Sequence, residues 1–437
     1  MNLFDLTLRL KGFPIGEATR HLVEIQSFSD SDFTAYIENQ KKEITAFHLA
    51  NNTFYAELAK NASISEWNLL PVLTKNDLQQ PLINRLSKGY PKKSVYVNKT
   101  SGSGGHPFVF AKDKFSHALT WAMIKNRFAW HGIDLNTSLQ ARFYGIPLDT
   151  FGYQKERLKD RLSSRYRFPI FDLSDKKLEQ FFQKFKSTPF DYINGYTSSI
   201  VLFAKYLQRK GVILKEVCPT LKVCMVTSEM LFETDKTLME SQFGVSVVNE
   251  YGASELDLIA YTNTENQFIV NNESLFVEIL DENNNPVPNG QSGKIVITSL
   301  YNKAHPFIRY DIGDTGCFSE SSTLQKPILK ELIGRTNDVA LLPSGKSVPG
   351  LTFYYITKSI IEDDGNVKEF VVIQTEKNVF EINYVSEKTL SKNEEMEIQK
   401  AMETYLESGL NLILKRIETL DRSRRGKLKQ FTSLISD

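Results

Sequence analysis

Between residues 115 and 250, amphipathic helical patterns alternate with short apolar runs, and this alternation restricts the fold more than any other feature of the chain. KKLEQFFQKFK (residues 176–186) has the spacing of a helix that buries one face. LKVCMVTSE (residues 221–229) and GVSVVNEYG (residues 244–252) are short apolar runs of the length of buried strands. Strands that alternate with helices form a mainly parallel sheet covered by helices. We therefore expect an α/β fold.

The pattern differs on either side of this region. Residues 1–90 have helical spacing, and residues 274–300 contain two strand-like runs joined by an Asn/Pro/Gly-rich turn. The last hundred residues predict two strands (370–385), a helix (393–410) and a further strand (412–420). We expect a large N-terminal domain, residues 1–336, with mainly parallel sheets and a small β-barrel-like part. A small, mobile α+β domain, residues 337–437, should follow it.

Charge and cysteine content exclude several classes of protein. The chain has 53 Lys+Arg and 52 Asp+Glu, so its net charge gives no general attraction to nucleic acid or to an anionic membrane. The three cysteines form no CxxC pair, and no apolar run is long enough to span a membrane. The first residues, MNLFDLTLRLKG, lack the basic and apolar regions of a signal peptide. We expect a cytoplasmic protein that binds small molecules.

The densest Gly/Ser segment is KTSGSGGHP, residues 99–107. Glycines let several backbone N–H groups point at one anion, and hydroxyls add donors without bulk. The segment lacks the Lys-Ser/Thr end of a Walker loop and the spacing of a GxGxxG loop. On its own it is compatible with either a phosphate loop or a flexible surface loop.

Four further segments follow in order: NEYGASE (249–255), HPFIRYDIGD (305–314), IGRTND (333–338) and RRGKLKQF (424–431). Together with TSGSGGHP they resemble the signatures of the acyl- and aryl-CoA synthetase superfamily of adenylate-forming enzymes. The PFIRYDIGD form resembles the phenylacetate–CoA ligase-like branch, which includes capsular polysaccharide biosynthesis relatives. The resemblance implies an AMP-forming ligase. Such an enzyme uses ATP and Mg²⁺ to convert a carboxylic acid to an acyl-adenylate and passes the acyl group to an acceptor thiol, here coenzyme A.

The resemblance also implies the roles of individual residues. Lys427 is the expected catalytic lysine, and Glu255 the expected catalytic carboxylate and Mg²⁺ ligand. Tyr251 should stack on adenine, with Gly252 allowing the base to approach, and Asp314 should bind the ribose hydroxyls. The full expected nucleotide-binding set is Thr100, Ser101, Gly102, Ser103, Gly104, Gly105, Tyr251, Gly252, Ala253, Ser254, Asp314 and Arg335.

Each assignment has a structural alternative. Tyr251 fits a core tyrosine, and Asp314 fits a turn residue beside a glycine. Arg309 and Asp311 fit an internal ion pair as well as a ligand contact. Lys427 also fits a basic tail, and the resemblance assigns no role to its neighbours Arg422, Arg424 and Arg425. The family's usual hinge residue, Asp or Lys, is replaced by Asn337, which tolerates unusual backbone angles.

Three stretches are candidates for the acid pocket, and simple packing is the alternative for each: residues 144–145, 194–198 and 228–229. The acceptor also stays open. The acyl group could pass to an amine, such as an amino sugar, or the reaction could be adenylyl transfer to a hydroxyl. A binding module without activity is a further alternative, which the combination of Glu255, Asp314, Arg335 and Lys427 disfavours. The identity of the acid and the oligomeric state do not follow from the sequence.

Overall fold

A computed structural model describes residues 3–62, 66–100, 108–146, 150–333, 339–357, 366–418, 420 and 431–435. The chain begins with helices, as the spacing predicts. They are α1 (Leu3–Leu10), α2 (Ile15–Gln26), α3 (Asp30–Asn51), α4 (Thr53–Leu58) and α5 (Leu82–Arg85). Strands β1 (Tyr96–Lys99) and β2 (Val109–Lys112) pair antiparallel, so the Gly/Ser segment connects two adjacent strands. Helix α6 (Lys114–Ala129) follows, and Asp113 caps it by accepting a hydrogen bond from Ser116 N.

The centre of the molecule is a seven-stranded sheet with the order β4-β3-β5-β6-β7-β8-β9. Its strands are β3 (Gln140–Phe143), β4 (Arg165–Phe168), β5 (Tyr192–Tyr196), β6 (Val223–Thr227), β7 (Ser246–Ala253), β8 (Asp257–Thr262) and β9 (Phe268–Val270). Strands β3 to β7 are parallel to one another, which confirms the predicted parallel sheet, and β8 and β9 add antiparallel edges. The helices between them are α7 (Thr150–Leu162), α8 (Asp175–Ser187), α9 (Thr197–Lys210), α10 (Leu214–Val217) and α11 (Glu233–Phe243).

Both faces of this sheet are covered, so strand residues are apolar in both directions. Phe143, Ile193 and Val226 pack with α8, α9 and α11 on one face. Met225 and Val248 pack with α6 and α2 on the other. Parallel strands place their carboxyl ends at one edge, and ligands bind there in α/β sheets.

A second sheet is antiparallel and has the order β10-β11-β12-β13. Its strands are β10 (Leu275–Leu280), β11 (Ser292–Ser299), β12 (Tyr310–Phe318) and β13 (Leu329–Ile333). The β10–β11 hairpin confirms the prediction from the Asn/Pro/Gly-rich turn. The bridge between Leu73 and Tyr310 attaches the N-terminal segment to β12.

The C-terminal part is α+β, as predicted. It contains the hairpin β14 (Val339–Leu341) and β15 (Ser347–Pro349), then α12 (Phe353–Thr357), β16 (Val367–Glu376), β17 (Val379–Ser386), α13 (Lys392–Tyr405), β18 (Asn411–Arg416) and β19 (Phe431–Ser433). Its sheet has the order β18-β17-β16-β19. In the part of the chain that the structure describes, no helix combines the length and apolar character needed to cross a membrane.

Candidate active site

The motif NEYGASE forms the end of β7 and the turn into β8, at the carboxyl edge of the large sheet. The pairing shifts register at Gly252, where a Cβ atom would lie 2.5 Å from the backbone oxygen of Asp257. The turn therefore requires glycine for its own geometry. Lys112 of β2 holds the turn from outside, because its ammonium donates to Ser254 O at 3.1 Å and pairs with the Asp257 carboxylate.

Two tyrosines and two carboxylates form reciprocal hydrogen bonds between the sheets. Tyr251 of β7 donates its hydroxyl hydrogen to Asp314 Oδ2 of β12 at 2.8 Å. Tyr310 of β12 donates to Glu255 Oε1, just after β7, at 2.9 Å. All four side chains are buried at the sheet edge. Each sheet thus positions the carboxylate that the other supplies.

The base of the Gly/Ser segment lies against this group. Thr100 and Phe108 close the segment, because Thr100 N donates to Phe108 O and Phe108 N donates to Thr100 Oγ1, both at 3.0 Å. The Phe108 ring meets the Tyr310 ring edge-on with centroids 6.4 Å apart. Residues 101–107 lie outside the described residues, so the phosphate-loop assignment of Ser101, Gly102, Ser103, Gly104 and Gly105 stays a prediction.

Glu255 has the chemistry of a Mg²⁺ ligand. Its Oε1 atom accepts from Tyr310, which leaves Oε2 as the oxygen for a cation. Among the described residues, no group of three or more His, Cys, Asp or Glu side chains could enclose a metal. A single carboxylate suits magnesium, which usually keeps several waters and is bound through one or two carboxylates and substrate phosphates.

Arg309 forms an internal ion pair, the structural alternative that its sequence context allowed. Its fully buried guanidinium lies 3.5 Å from Glu278 of β10 and donates to the backbone oxygens of Asn68 and Leu70. Burial raises the pKa of Glu278, and the guanidinium opposes that shift. Arg309, which directly precedes Tyr310, thereby attaches residues 68–70 to the start of β12.

The three candidate acid-pocket stretches meet at the carboxyl ends of β3, β5 and β6. The rings of Tyr144 and Tyr196 lie 4.6 Å apart. Glu229 accepts hydrogen bonds from Ser198 N at 2.7 Å and from Ser198 Oγ at 3.1 Å, at the start of α9. Burial raises the pKa of Glu229 to about 7, although the Ser198 bonds favour the carboxylate. Ser228 has a φ of 71°, the left-handed region, which aims the Glu229 side chain back toward α9.

Other residues in this region were not identified from the sequence. Tyr310 lies within a recognised motif, but the partner of its hydroxyl, Glu255, comes from the other sheet and cannot be identified from the motif alone. Lys112 and Arg142 lie outside the motifs, and Glu250 lies within NEYGASE without an assigned role. The neighbours of all three depend on strand pairing. The one available signal was a charged residue inside an otherwise apolar strand, as in QARFYG (residues 140–145).

Arg335 and Lys427 lie outside the described residues, as do Asn337, Arg422, Arg424 and Arg425. Their assigned roles stay predictions. The same holds for the domain boundary between residues 336 and 337. Ala253 and Ser254 are described and form the β7–β8 turn beside Glu255.

Comparisons with known proteins find similar chains both in sequence and in fold. No family model matches the chain. It is 23% identical over 359 residues to Protein CapK of Staphylococcus aureus, covering 76% of each chain. It is 21% identical to the phenylacetate–coenzyme A ligase of Thermus thermophilus, over 73% of this chain and 74% of that one. These similarities confirm the resemblance carried by the five motifs.

The fold is similar to that of a solved 2-hydroxyisobutyryl-CoA ligase, whose structure holds 2-HIB-AMP and CoA. The TM-score is 0.58 at 15% identity, and the match covers 94% of this chain and 91% of the other. The predicted fold class is therefore confirmed over nearly the whole length.

Proposed function

Because the chain resembles the phenylacetate–CoA ligase-like branch of the adenylate-forming enzymes in sequence and fold, we propose that it activates a carboxylic acid with ATP. The acyl-adenylate then passes its acyl group to the thiol of coenzyme A. The observation that carries the proposal is the reciprocal pairing of Tyr251 with Asp314 and Tyr310 with Glu255. It supports the proposal because it brings together the two carboxylates that we assign to the metal and to the ribose, beside the base of the Gly/Ser segment.

In this mechanism the acid's carboxylate attacks the α-phosphorus, and pyrophosphate leaves. This step requires no nucleophile from the protein, whose part is to orient the reactants and neutralise charge. Asp314 binds the ribose hydroxyls, and the Tyr251 ring offers a flat surface for adenine. Glu255 would hold magnesium, which neutralises the phosphates. From the motif order, we assign Lys427 to the charge that develops between the acid and the α-phosphate.

The proposed compartment is the cytoplasm. Cys218, Cys224 and Cys317 are free thiols and all are buried, which is compatible with a reducing environment. Burial raises the pKa of Cys224, so that this thiol stays protonated and unreactive.

The test is ATP–pyrophosphate exchange in the presence of a library of carboxylic acids, followed by coenzyme A consumption with the acids that respond. We expect exchange that depends on acid, and Glu255→Gln should reduce it by about 100-fold or more, because a charge contact in the transition state is lost. Glu282→Gln, a matched change at an exposed turn residue, should leave the rate unchanged.

Each competing function gives a different result. Exchange without coenzyme A consumption, together with amide formation from an added amine, would assign the acceptor as an amine. Nucleotide transfer to a hydroxyl in the absence of any acid would contradict the proposal.

A further inference from the structure

A row of polar side chains, which we call the polar groove, lies on one face of the large sheet at the carboxyl ends of four neighbouring strands. Residues paired across adjacent strands point to the same face. By this register Tyr196 of β5, Thr227 of β6 and Glu250 of β7 share one face. Tyr144 follows β3, and its ring contacts that of Tyr196. Glu250 directly precedes Tyr251, so the groove and the proposed nucleotide site share the carboxyl end of β7.

Arg142 of β3 points into this groove without a charged partner. It is partly buried, and its register partner on β5 is Asn194. The guanidinium stacks on the Tyr144 ring at 4.0 Å. Among the described residues it forms no ion pair, and its buried Nε atom has no hydrogen-bond acceptor. Leaving this buried Nε–H without an acceptor is costly in the absence of a ligand.

Glu250 is the opposite charge in the same groove. Thr227 donates to its Oε1 atom at 2.9 Å. Burial raises the pKa of Glu250, while Thr227 and Arg142 lower it. Strands β3 and β7 are three strand spacings apart, roughly 14 Å between their backbones. Asn194 of β5 and Thr227 of β6 lie between them, so Arg142 and Glu250 do not form an ion pair.

The other charged groups near Arg142 are already paired. Arg165 and Arg167 of β4 both bind Asp160 of α7, and Arg167 also binds Glu156. Among the described side chains on this face of the sheet, Arg142 and Glu250 are therefore opposite charges that each lack an ion-pair partner.

We propose that Arg142 and Glu250 select the acid substrate. The groove takes a carboxylic acid whose distal part is neutral and carries both a hydrogen-bond acceptor for Arg142 and a donor for Glu250, such as a hydroxylated or amide-bearing acid. This inference rests on the proposed function, because it assigns the groove to the acid that the enzyme activates.

The charges decide between classes of acid. An alkyl or aryl acid would cover both charged groups and leave them without partners, which is expensive in a desolvated site. A dicarboxylic acid would satisfy Arg142 but bring a second negative charge toward Glu250. A neutral group with donor and acceptor satisfies both ends at once, and sites built on such bonds reject analogues that lack them.

The experiment uses the full chain and the acid-dependent exchange assay. Three sets of acids are matched in length: hydroxylated or amide-bearing, alkyl or aryl, and dicarboxylic. We expect the wild type to prefer the first set by about 100-fold or more in kcat/KM. Arg142→Met should lose about 100-fold with that set, keep its rate with the apolar set, and leave KM for MgATP unchanged. Glu250→Gln should weaken the same set while it preserves side-chain size.

Controls separate recognition from folding. Arg209→Met, at an exposed arginine paired with Asp175, should change no acid preference. Thermal unfolding and calorimetric MgATP binding check that Arg142→Met is folded. If it is not, Arg142→Lys and Glu250→Gln carry the test.

The outcomes distinguish this inference from the proposed function. Acid-dependent exchange with equal or greater activity on alkyl, aryl or dicarboxylic acids overturns the inference and leaves the proposed function standing. An unchanged preference in folded Arg142→Met and Glu250→Gln also overturns it. Absence of exchange with every acid overturns the proposed function, and the inference with it.

Discussion

The hydroxyls of Tyr251 and Tyr310 each hold a carboxylate that belongs to the other's sheet. A hydrogen bond to a charged group contributes about 1.5–3 kcal/mol and fixes the direction of the remaining oxygen. For Glu255, this bond fixes the direction of the remaining Oε2 atom; for Asp314, it fixes the carboxylate next to the Tyr251 ring. The two bonds are chemically alike but serve different ligands, which makes their separate removal informative.

Tyr310→Phe should raise the Mg²⁺ concentration needed for half-maximal exchange about tenfold, because Glu255 loses its orienting donor. Its KM for ATP at saturating Mg²⁺ should change little. Tyr251→Phe, which also removes one hydroxyl, should raise KM for ATP and leave the Mg²⁺ requirement unchanged. Equal responses of the two variants would show that the bonds only support packing.

The sequence motifs identified some of these positions but not others. Tyr251, Glu255 and Asp314 were identified from the resemblance, and the structure brings them together. The contributions of Tyr310 and Arg142 could not be predicted, since the first depends on the meeting of two sheets and the second on side-chain neighbours three strands away. A local sequence pattern predicts the secondary structure of a residue and the face on which its side chain lies. The contacts of Tyr310 and Arg142 are determined by tertiary packing, which such a pattern does not predict.

At the level of elements, the β7–β8 turn is held by residues from two other elements. Lys112 of β2 pairs with Asp257, and Thr120 of α6 donates to Asp257 Oδ2 at 2.6 Å. Asp257 itself has a φ of 62°, a left-handed conformation that is costly for a residue with a side chain. These contacts therefore link the β1–β2 hairpin, whose strands flank the Gly/Ser segment, to the β7–β8 turn, which carries Glu255.

Lys112→Met should therefore destabilise the protein by about 3 kcal/mol, because it leaves the Asp257 carboxylate without its charged partner. The urea midpoint measures the loss, and calorimetry should show weaker MgATP binding in the same variant. Lys326→Met removes an exposed pair with Glu265 and should cost less than about 1 kcal/mol. A destabilised variant with normal MgATP affinity would contradict the coupling between hairpin and turn.

The order of the elements was more predictable than their bounds and contacts. The alternating pattern identified the parallel sheet, and the Asn/Pro/Gly-rich turn identified the β10–β11 hairpin. The short strands β14 and β15, of three residues each, carry too little pattern to be recognised. The antiparallel edge formed by β8 and β9 also went unrecognised, because NEYGASELDLIAYT (residues 249–262) contains no usual hairpin signal.

On the scale of the whole molecule, the large sheet and the C-terminal part share packed aromatic side chains. Phe171 meets Tyr405 at 4.9 Å and Tyr355 at 5.4 Å between ring centroids. Burial raises the pKa of Tyr196 well above its usual value, and the neighbouring Tyr355 of α12 raises it further. A Cβ atom at Gly145 would lie 2.5 Å from the Tyr355 ring, so these two parts approach as closely as glycine permits.

The proposed division of labour between the domains is tested at Lys427. Lys427→Ala should slow acyl-adenylate formation by about 10²- to 10³-fold, because one transition-state charge contact is lost. Thioester formation from prepared acyl-adenylate should be nearly unchanged. Lys415→Ala, at an exposed lysine paired with Glu381 in the C-terminal part, is the control and should affect neither step. Small, equal losses in both steps that shrink with added salt would identify a basic surface instead.

The close approach of Tyr355 to Gly145 has a consequence for a ligand bound at the proposed acid site. This contact borders the groove of Arg142, and one of its sides belongs to α12. Any displacement of α12 would move the Tyr355 ring away from Gly145, which follows Tyr144 at one end of the groove. A bound acid or acyl-adenylate would then have one neighbour fewer between it and solvent, so the retention of a reactive intermediate would depend on how closely α12 packs against residue 145.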